Sequence, residues 1–387
     1  MPTPHSHPWP ETEPPAMTPV AEHDDIRAVV RQLLDRHSTL EAGRLAAESE
    51  IGYSPELWSL LVKEMNVAAL TVPEDRGGLG YGVVELGIVL EECGRALVSE
   101  PVLTSAMLGV QALLTADRCP QVDELLGRVV QGELVATVTA LSAETDFVDA
   151  TRTGDRWSVS GRSTNVVQGG AADIVVLLGR GDEGHGLYAV DLRTAPVRRT
   201  ELPVIDPSRR QANLLFDDAA AVRLVGPGDA LRTAASLHSL GVIGLACEHV
   251  GIVDRLLEST TEYTMQRHQF GRAIGSFQAV KHRLANTLVE LEKARSAARY
   301  AAAVFSEDPD SAALPAAVAG AICTEAAIGT ALEAVQLHGG VGFTWEHAAH
   351  SYVRRALGDE PLLGDSRAHR SRVADLVGLW ILAPARG

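Results

Sequence analysis

The chain has 387 residues, too many for one ordinary core, and its 46% hydrophobic and 22% charged content is that of a folded protein with two or three domains. Fifty acidic residues against 34 basic ones give a net charge of −16, which repels phosphate backbones and excludes nucleic acid as a natural partner. Cys93, Cys119, Cys247 and Cys323 are far apart with no CxxC spacing, so neither a disulfide framework nor a zinc site is indicated and a reducing cytosol fits.

Residues 1 to 24 are crowded with proline and read as a disordered tail, in which His5 and His7 are incidental. No N-terminal stretch resembles a signal peptide, and no apolar run approaches the ~18 residues of a membrane span, so the chain reads as cytoplasmic. From Asp25 the pattern is helical. Ile26, Val29, Val30, Leu33 and Leu34 share one face, and Ser54 with Pro55 starts another helix whose buried side carries Trp58, Leu61 and Val62. A turn-rich break from Thr71 to Gly82 is followed by VVELGIVLEECGRAL, read as amphipathic.

From about Glu133 to Val225 the period changes. ELVATVTAL, RWSVSGRS, ADIVVLLGR and GLYAVDLR are short β-branched runs between Gly, Asp and Arg clusters, which predict an antiparallel meander or small barrel. No GxGxxG joins a strand to a helix, so a Rossmann site is not supported. From Asp229 a helix on the order of 50 Å runs to Arg267. Further helices cover about Phe277–Phe305, Ala312–His338 and His347–Leu357, with a last one near the C-terminus. The fold class is therefore α+β: a helical domain over 25–132, a β domain over 133–228 and a helix bundle over 229–387.

Two stretches carry chemistry. RHQFGRAIGSFQ (Arg267 to Gln278) ends the long helix, and AVQLHGGVGFTWEH (Ala334 to His347) ends a later one. Taken alone, each reads as capping and turn chemistry. Together, in order and spacing, they resemble the acyl-CoA dehydrogenase family, with R-x-x-F-G-x-x-I-x-x-F-Q and then Q-x-x-G-G-x-G. VPE-x-x-GG-x-G and E-x-x-G-R-A-L in the N-terminal part are similar to it too. The resemblance implies an acyl-CoA thioester as substrate, FAD as cofactor and an electron-transfer flavoprotein as electron acceptor. It further implies that Arg267, Phe270, Gln278, Gln336, Leu337, His338, Gly339 and Gly340 reach the dinucleotide part of FAD across a subunit interface, in a dimer or tetramer.

On the flavin-ring side the chain departs from the family. T-E-P-x-x-G-S-D stands as TALSAETD, keeping Thr139 and Asp146, and W-I-[ST]-N stands as NVVQ, with Asn165 for the tryptophan and Val167 for a flavin-contacting hydroxyl. The family's base departs as well. Leu363 stands at the position of one class's glutamate, and Gly241 at the alternative position on the long helix. Asp359, Glu360 and Asp365 lie nearby and read as a solvated loop, with Glu360 the candidate for a substitute base; Glu248 reads as a helix-surface or interface charge. LLGD-x-x-AHR-x-R (Leu362 to Arg372) is similar to a bacterial branch in which two dissimilar chains assemble, one supplying the base and the other completing the FAD site. That resemblance implies a base-bearing partner subunit. The alternatives are a self-sufficient dehydrogenase using Glu360, or a non-redox, acyl-thioester-binding protein on the same scaffold. The acyl group is left open, bulky, branched and sterol-derived chains included. EHAAH (Glu346 to His350) has the wrong order for H-E-x-x-H, and no metal is expected.

Overall fold

The computed structural model describes residues 20–139, 147–344 and 347–379. The predicted tail therefore lies mostly outside the described residues, but its last part does not: α1 (Ala21–His37) already begins at Ala21. It is followed by α2 (Leu40–Glu48), α3 (Pro55–Lys63) and α4 (Val83–Ala96). The Ser54 hydroxyl accepts from the Leu57 amide at 3.2 Å, with Pro55 in the first turn, as the sequence predicts. Next come a π-helical segment at Val102–Gly109, α5 (Val110–Leu114) and α6 (Pro120–Val130).

α4 is not amphipathic. Its residues from Leu86 to Gly94 are all buried, because α1 covers one side and the long helix α7 (Ala230–Gln266) the other. Two acids inside it are neutralised by arginines: Glu92 takes a forked pair from Arg31 at 2.8 Å and a bond from Arg27 at 2.8 Å, and Glu91 pairs with Arg27 at 2.5 Å. On α1, Val29 turns out half exposed rather than part of the buried face, which narrows to Val30, Leu33 and Leu34.

The middle domain is a closed barrel rather than a meander. Its strands are β1 (Ala136–Val138), β2 (Val148–Thr153), β3 (Arg156–Val167), β4 (Ile174–Gly181), β5 (Gly184–Asp191), β6 (Val197–Glu201) and β7 (Gln211–Val225). Around the ring, β4 pairs with β2, β2 with β3, β3 with β7, β7 with β5, and β5 again with β4. Two ladders, β1–β4 and β2–β4, are parallel. The run IVVLL in β4 is apolar at every position because both faces are buried. Ile174, Val176 and Leu178 join the helical core, while Val175 and Leu177 join the barrel's own core with Tyr188, Leu214 and Phe216.

The C-terminal bundle comprises α7, α8 (Gln278–Glu307), α9 (Ala313–His338), α10 (Ala349–Asp359) and α11 (Ser366–Leu376). At 37 residues α7 is about 55 Å long. The stretch Ala313–Phe343 does have the length and hydropathy of a membrane span, against the sequence expectation, but 61% of that window is buried inside the protein. Alanine raises its hydropathy, and the small alanine and glycine residues let α7, α8 and α11 pack closely on it.

α4 crosses α7 with the two backbones in contact. A Cβ added at Gly94 would fall 2.0 Å from the Glu248 carbonyl, and one at Gly251 would fall 1.8 Å from that of Glu91. Arg95, next to Gly94, clamps the crossing through Asp254 at 2.6 Å and Glu258 on α7. Beside it lies a buried ionic node. Arg209, before β7, pairs with Glu248 on α7 and, at 3.1 Å, with Asp359 at the end of α10. Arg355 pairs with Asp206 at 2.6 Å and donates to the Val98 carbonyl at 3.0 Å, and His249 lies 3.7 Å from Asp359. Two sequence readings are corrected here: Glu248 is buried, not a surface charge, and Asp359 is wholly buried, not a solvated loop residue. Burial raises the Asp359 carboxyl, but Arg209, His249 and Arg355 outweigh it and hold its pKa below the usual value.

Removing one member of such a node strands its partners without counter-charge. Arg209→Met is expected to cost about 3–5 kcal/mol, read as a lowered urea midpoint, while Arg232→Ala, at an exposed pair screened by water, should leave that midpoint nearly unchanged. Because the folded Asp359 pKa is depressed, its contribution is complete above about pH 4 and is lost as pH falls through the folded value. Asp359→Asn should therefore flatten the acid limb of the stability profile.

Candidate functional site

A cleft of about 880 Å³ opens between the π-helical segment, the barrel, the first half of α7 and the start of α11. Its walls are largely apolar: Leu103 and Leu108 from the π segment, Val138, Val167 and Leu178 from the barrel, Ala234, Val242 and Leu245 from α7. π-helical turns put an extra residue into the helix and are frequent at functional sites. Here the segment also offers Thr104, whose hydroxyl donates to the Gln168 carboxamide; Gln168 in turn donates to the Ser99 carbonyl at 2.9 Å.

Leu363 and Gly241, the two positions where the resemblance expects a carboxylate, pack against each other, with Leu363 in the lining of this cleft. A Cβ on Gly241 would meet Leu363 Cδ1 at 2.9 Å. Among the described residues that line the cleft there is no Asp or Glu. Glu360 caps α10 and is not in the lining; Asp359 is held in the ionic node. Asp365 caps α11, accepting from the Ala368 amide at 2.7 Å. The titratable side chains that do line the cleft are His238, His369 and Arg372. Burial, then the neighbouring His238, pushes His369 down to about 4, with Asp365 and a backbone hydrogen bond to Gly364 opposing. His238 stands in no motif and His369 only within the LLGD-x-x-AHR-x-R stretch, each lying within a helix, so the sequence carries no signal for this pair.

Thr139, Asn165 and Val167 all reach the cleft. The Val167 carbonyl accepts from the Thr137 hydroxyl at 2.8 Å, and its side chain has no donor. The rest of TALSAETD, residues 140–146 with Asp146, lies outside the described residues, as does Glu346 of EHAAH. Position 167 therefore brings no hydroxyl to the cleft, while Thr104, Thr139, Ser163, Thr164 and Ser239 line it elsewhere.

The other motif residues gather at the far end of the bundle. Arg267 closes α7, its amide donating to the Tyr263 carbonyl at 2.8 Å, and it is exposed with no ion-pair partner among the described residues. From Gly241 to Arg267 the helix runs about 39 Å, so these residues cannot serve their own chain's cleft. Strands His268–Gln269 and Arg272–Ala273 form a hairpin turned by Phe270 and Gly271, both at positive φ (52° and 75°). A phenylalanine is disfavoured in that conformation, and this one is 91% exposed. Tyr263 stacks on His338 with ring centroids 4.4 Å apart, bringing the end of α7 to the end of α9. Burial holds His338 below its ordinary pKa, partly offset by its hydrogen bond to the Ala334 carbonyl. Gln278 and Gln336 are exposed and Leu337 half-buried. A Cβ at Gly339 or Gly340 would meet nothing within 4 Å, so the chain's own packing leaves room over both. That open, cationic, glycine-floored surface fits the dinucleotide half of FAD.

Residues 20–133 match the acyl-CoA dehydrogenase N-terminal domain and residues 233–378 the acyl-CoA dehydrogenase C-terminal domain. Acyl-CoA dehydrogenase IpdE2 of Mycolicibacterium smegmatis is 34% identical over 352 residues, 91% of this chain and 97% of its own length. The ChsE4–ChsE5 complex from Mycobacterium tuberculosis has a chain 29% identical, with a TM-score of 0.84 over 95% of this chain and 100% of that one. A chain of the Tcur3481–Tcur3483 steroid ACAD is 27% identical, with a TM-score of 0.83 over 94% and 99%. The α+β architecture, the two motifs at the bundle end and these likenesses agree: the chain belongs to the acyl-CoA dehydrogenase family of oxidoreductases.

Proposed function

We propose that this chain is the base-lacking subunit of a heteromeric acyl-CoA dehydrogenase, whose bundle end completes the FAD site of a dissimilar, base-bearing partner. The observation that carries this is Leu363 seated on Gly241, which fills both expected base positions with groups that accept no proton. Arg267, Gln278 and the Gln336–Gly340 turn hold the dinucleotide of the partner's FAD, Arg267 through charge-assisted hydrogen bonds to phosphate. FAD supplies the hydride acceptor for α,β-dehydrogenation of the acyl thioester, and electrons pass on to an electron-transfer flavoprotein. Support for a partner also comes from the apolar surface around the motif. Met265, Phe270, Leu332, Val341 and Phe343 are all exposed, Phe343 by 77%, at the end of the bundle where such a chain would sit. The two-chain relatives point the same way, and the steroid ACAD among them makes a sterol-derived acyl group the first substrate to try.

Purified alone, the chain should be flavin-poor; co-purified with a base-bearing relative, it should yield a yellow, FAD-containing complex. Stoichiometric FAD in the lone chain, with turnover of an acyl-CoA, would contradict the reading.

Arg267→Ala should lower FAD retention by the complex while helix content stays constant. Were Arg267 only a helix cap, the loss would be about 0.3–1 kcal/mol of stability with flavin spared.

Leu363→Ala and Glu360→Gln should both leave turnover of the complex nearly unchanged, because the proton is removed in the partner's cleft. A drop on the order of 10²-fold from Glu360→Gln would instead make this chain its own catalyst.

A further inference from the structure

The cleft has no carboxylate in its described lining, but it does have proton acceptors. His238 lies three residues before Gly241 on α7, on the same face, and His369 lies on α11 against Gly364, where a Cβ would come within 3.5 Å of the imidazole. The two histidines thus bracket the Leu363–Gly241 contact from opposite helices. His238 is half-buried and open to the cleft; His369 is buried behind it.

The place of His369 is cut for it. On α9, Gly320 leaves the hollow that the ring fills, since a Cβ there would fall 2.7 Å from Cδ2 and Nε2. A phenylalanine would fill the same hollow without burying polar atoms, so packing alone does not account for an imidazole. The charged and titratable groups bearing on the pair are Asp365 at the head of α11, Arg372 one turn beyond His369, and His249 on α7.

We propose that His238 removes the α-hydrogen of an acyl thioester bound in this chain's own cleft, with His369 as the positioning residue behind it, giving a flavin-independent hydrogen exchange. The choice of a thioester rests on the family reading above; the proton chemistry does not depend on the partner. In the step, the Cα–H bond breaks and its proton goes to an imidazole nitrogen of His238, which becomes the imidazolium. The electron pair moves onto the thioester carbonyl oxygen as an enolate, and the imidazolium returns a proton to Cα. No electrons leave the substrate and no oxidant is required. A buried imidazole brought down to about 4 is neutral at pH 7 and as weakly basic as an ordinary glutamate, which suits His369 to sit beside the reacting ring uncharged.

The test uses the full-length chain, purified without added FAD or electron acceptor, and octanoyl-CoA in deuterated buffer at pH 7, with α-deuterium read by mass spectrometry. Deuterium should enter faster than in chain-free buffer, His238→Gln should slow this by about 10²-fold, and His369→Gln should shift its pH profile without abolishing it. His238→Phe, which keeps a ring of similar size, guards against a folding defect, and circular dichroism checks both variants. Exchange no faster than in buffer, or exchange indifferent to both His238 substitutions, overturns the proposal. A chain that exchanges no deuterium but still loads FAD with its partner loses this inference and keeps the proposed function; one that exchanges deuterium but never loads FAD does the reverse.

Discussion

The backbone contact between α4 and α7 at Gly94 and Gly251 is the constraint on which the rest of the structure depends. Two helices that touch through their main chains cannot slide, and the charges beside the crossing make its register single-valued. Arg209 and Arg355 reach Glu248, Asp206 and Asp359 from three different parts of the chain, so a shift of α7 by one turn would strand several buried charges at once. Burying ions is expensive and adds little net stability, yet the penalty for mispairing is large, so such a node serves specificity. Its most useful product is the segment from Glu360 to Asp365. Asp359 is held at one end by Arg209, and Asp365 caps α11 at the other, which leaves Leu363 pointing at Gly241.

That geometry separates two tasks along one helix. The first half of α7 lines the cleft, and its last turn, about 39 Å further on, carries the arginine and the hairpin. A chain so built cannot bring both halves of a flavin site together by itself. The positive φ of Phe270 sharpens the point, because its ring meets Phe277 edge-on, with centroids 6.1 Å apart, yet stays 91% exposed in a left-handed turn. Both features make sense on a surface completed by another chain.

Much of this was legible in the sequence, and the exceptions have a physical pattern. Helix starts and stops followed from Ser54, Pro55 and the turn residues, since those signals are local. A small barrel was one of the two readings of the β-branched runs, but its strand order was not legible, because β4 meets β2 and β1 in parallel through contacts that no hairpin announces, and β2, β6 and β7 lie outside the runs that predict strands. Glu248 and Asp359 were misjudged for a related reason. A carboxylate in a helical pattern looks the same whether water or a distant arginine surrounds it, and Asp206 and Arg355 are paired across 149 positions. In the site, the glycine turns and Arg267 are singled out by the family resemblance, and the structure brings them to one end of the bundle. That Leu363 and Gly241 meet could not be read from the sequence, since they come from elements joined only in three dimensions.

The central claim is that each FAD is shared between two unlike chains, one bringing the base and ring pocket and this one bringing the dinucleotide surface. The most direct measurement is the flavin content of the purified complex against the amount of each chain, by absorbance and quantitative amino-acid analysis. The account predicts one FAD for each pair of unlike chains. Two FAD per pair, with this chain's cleft filled as well, would contradict it.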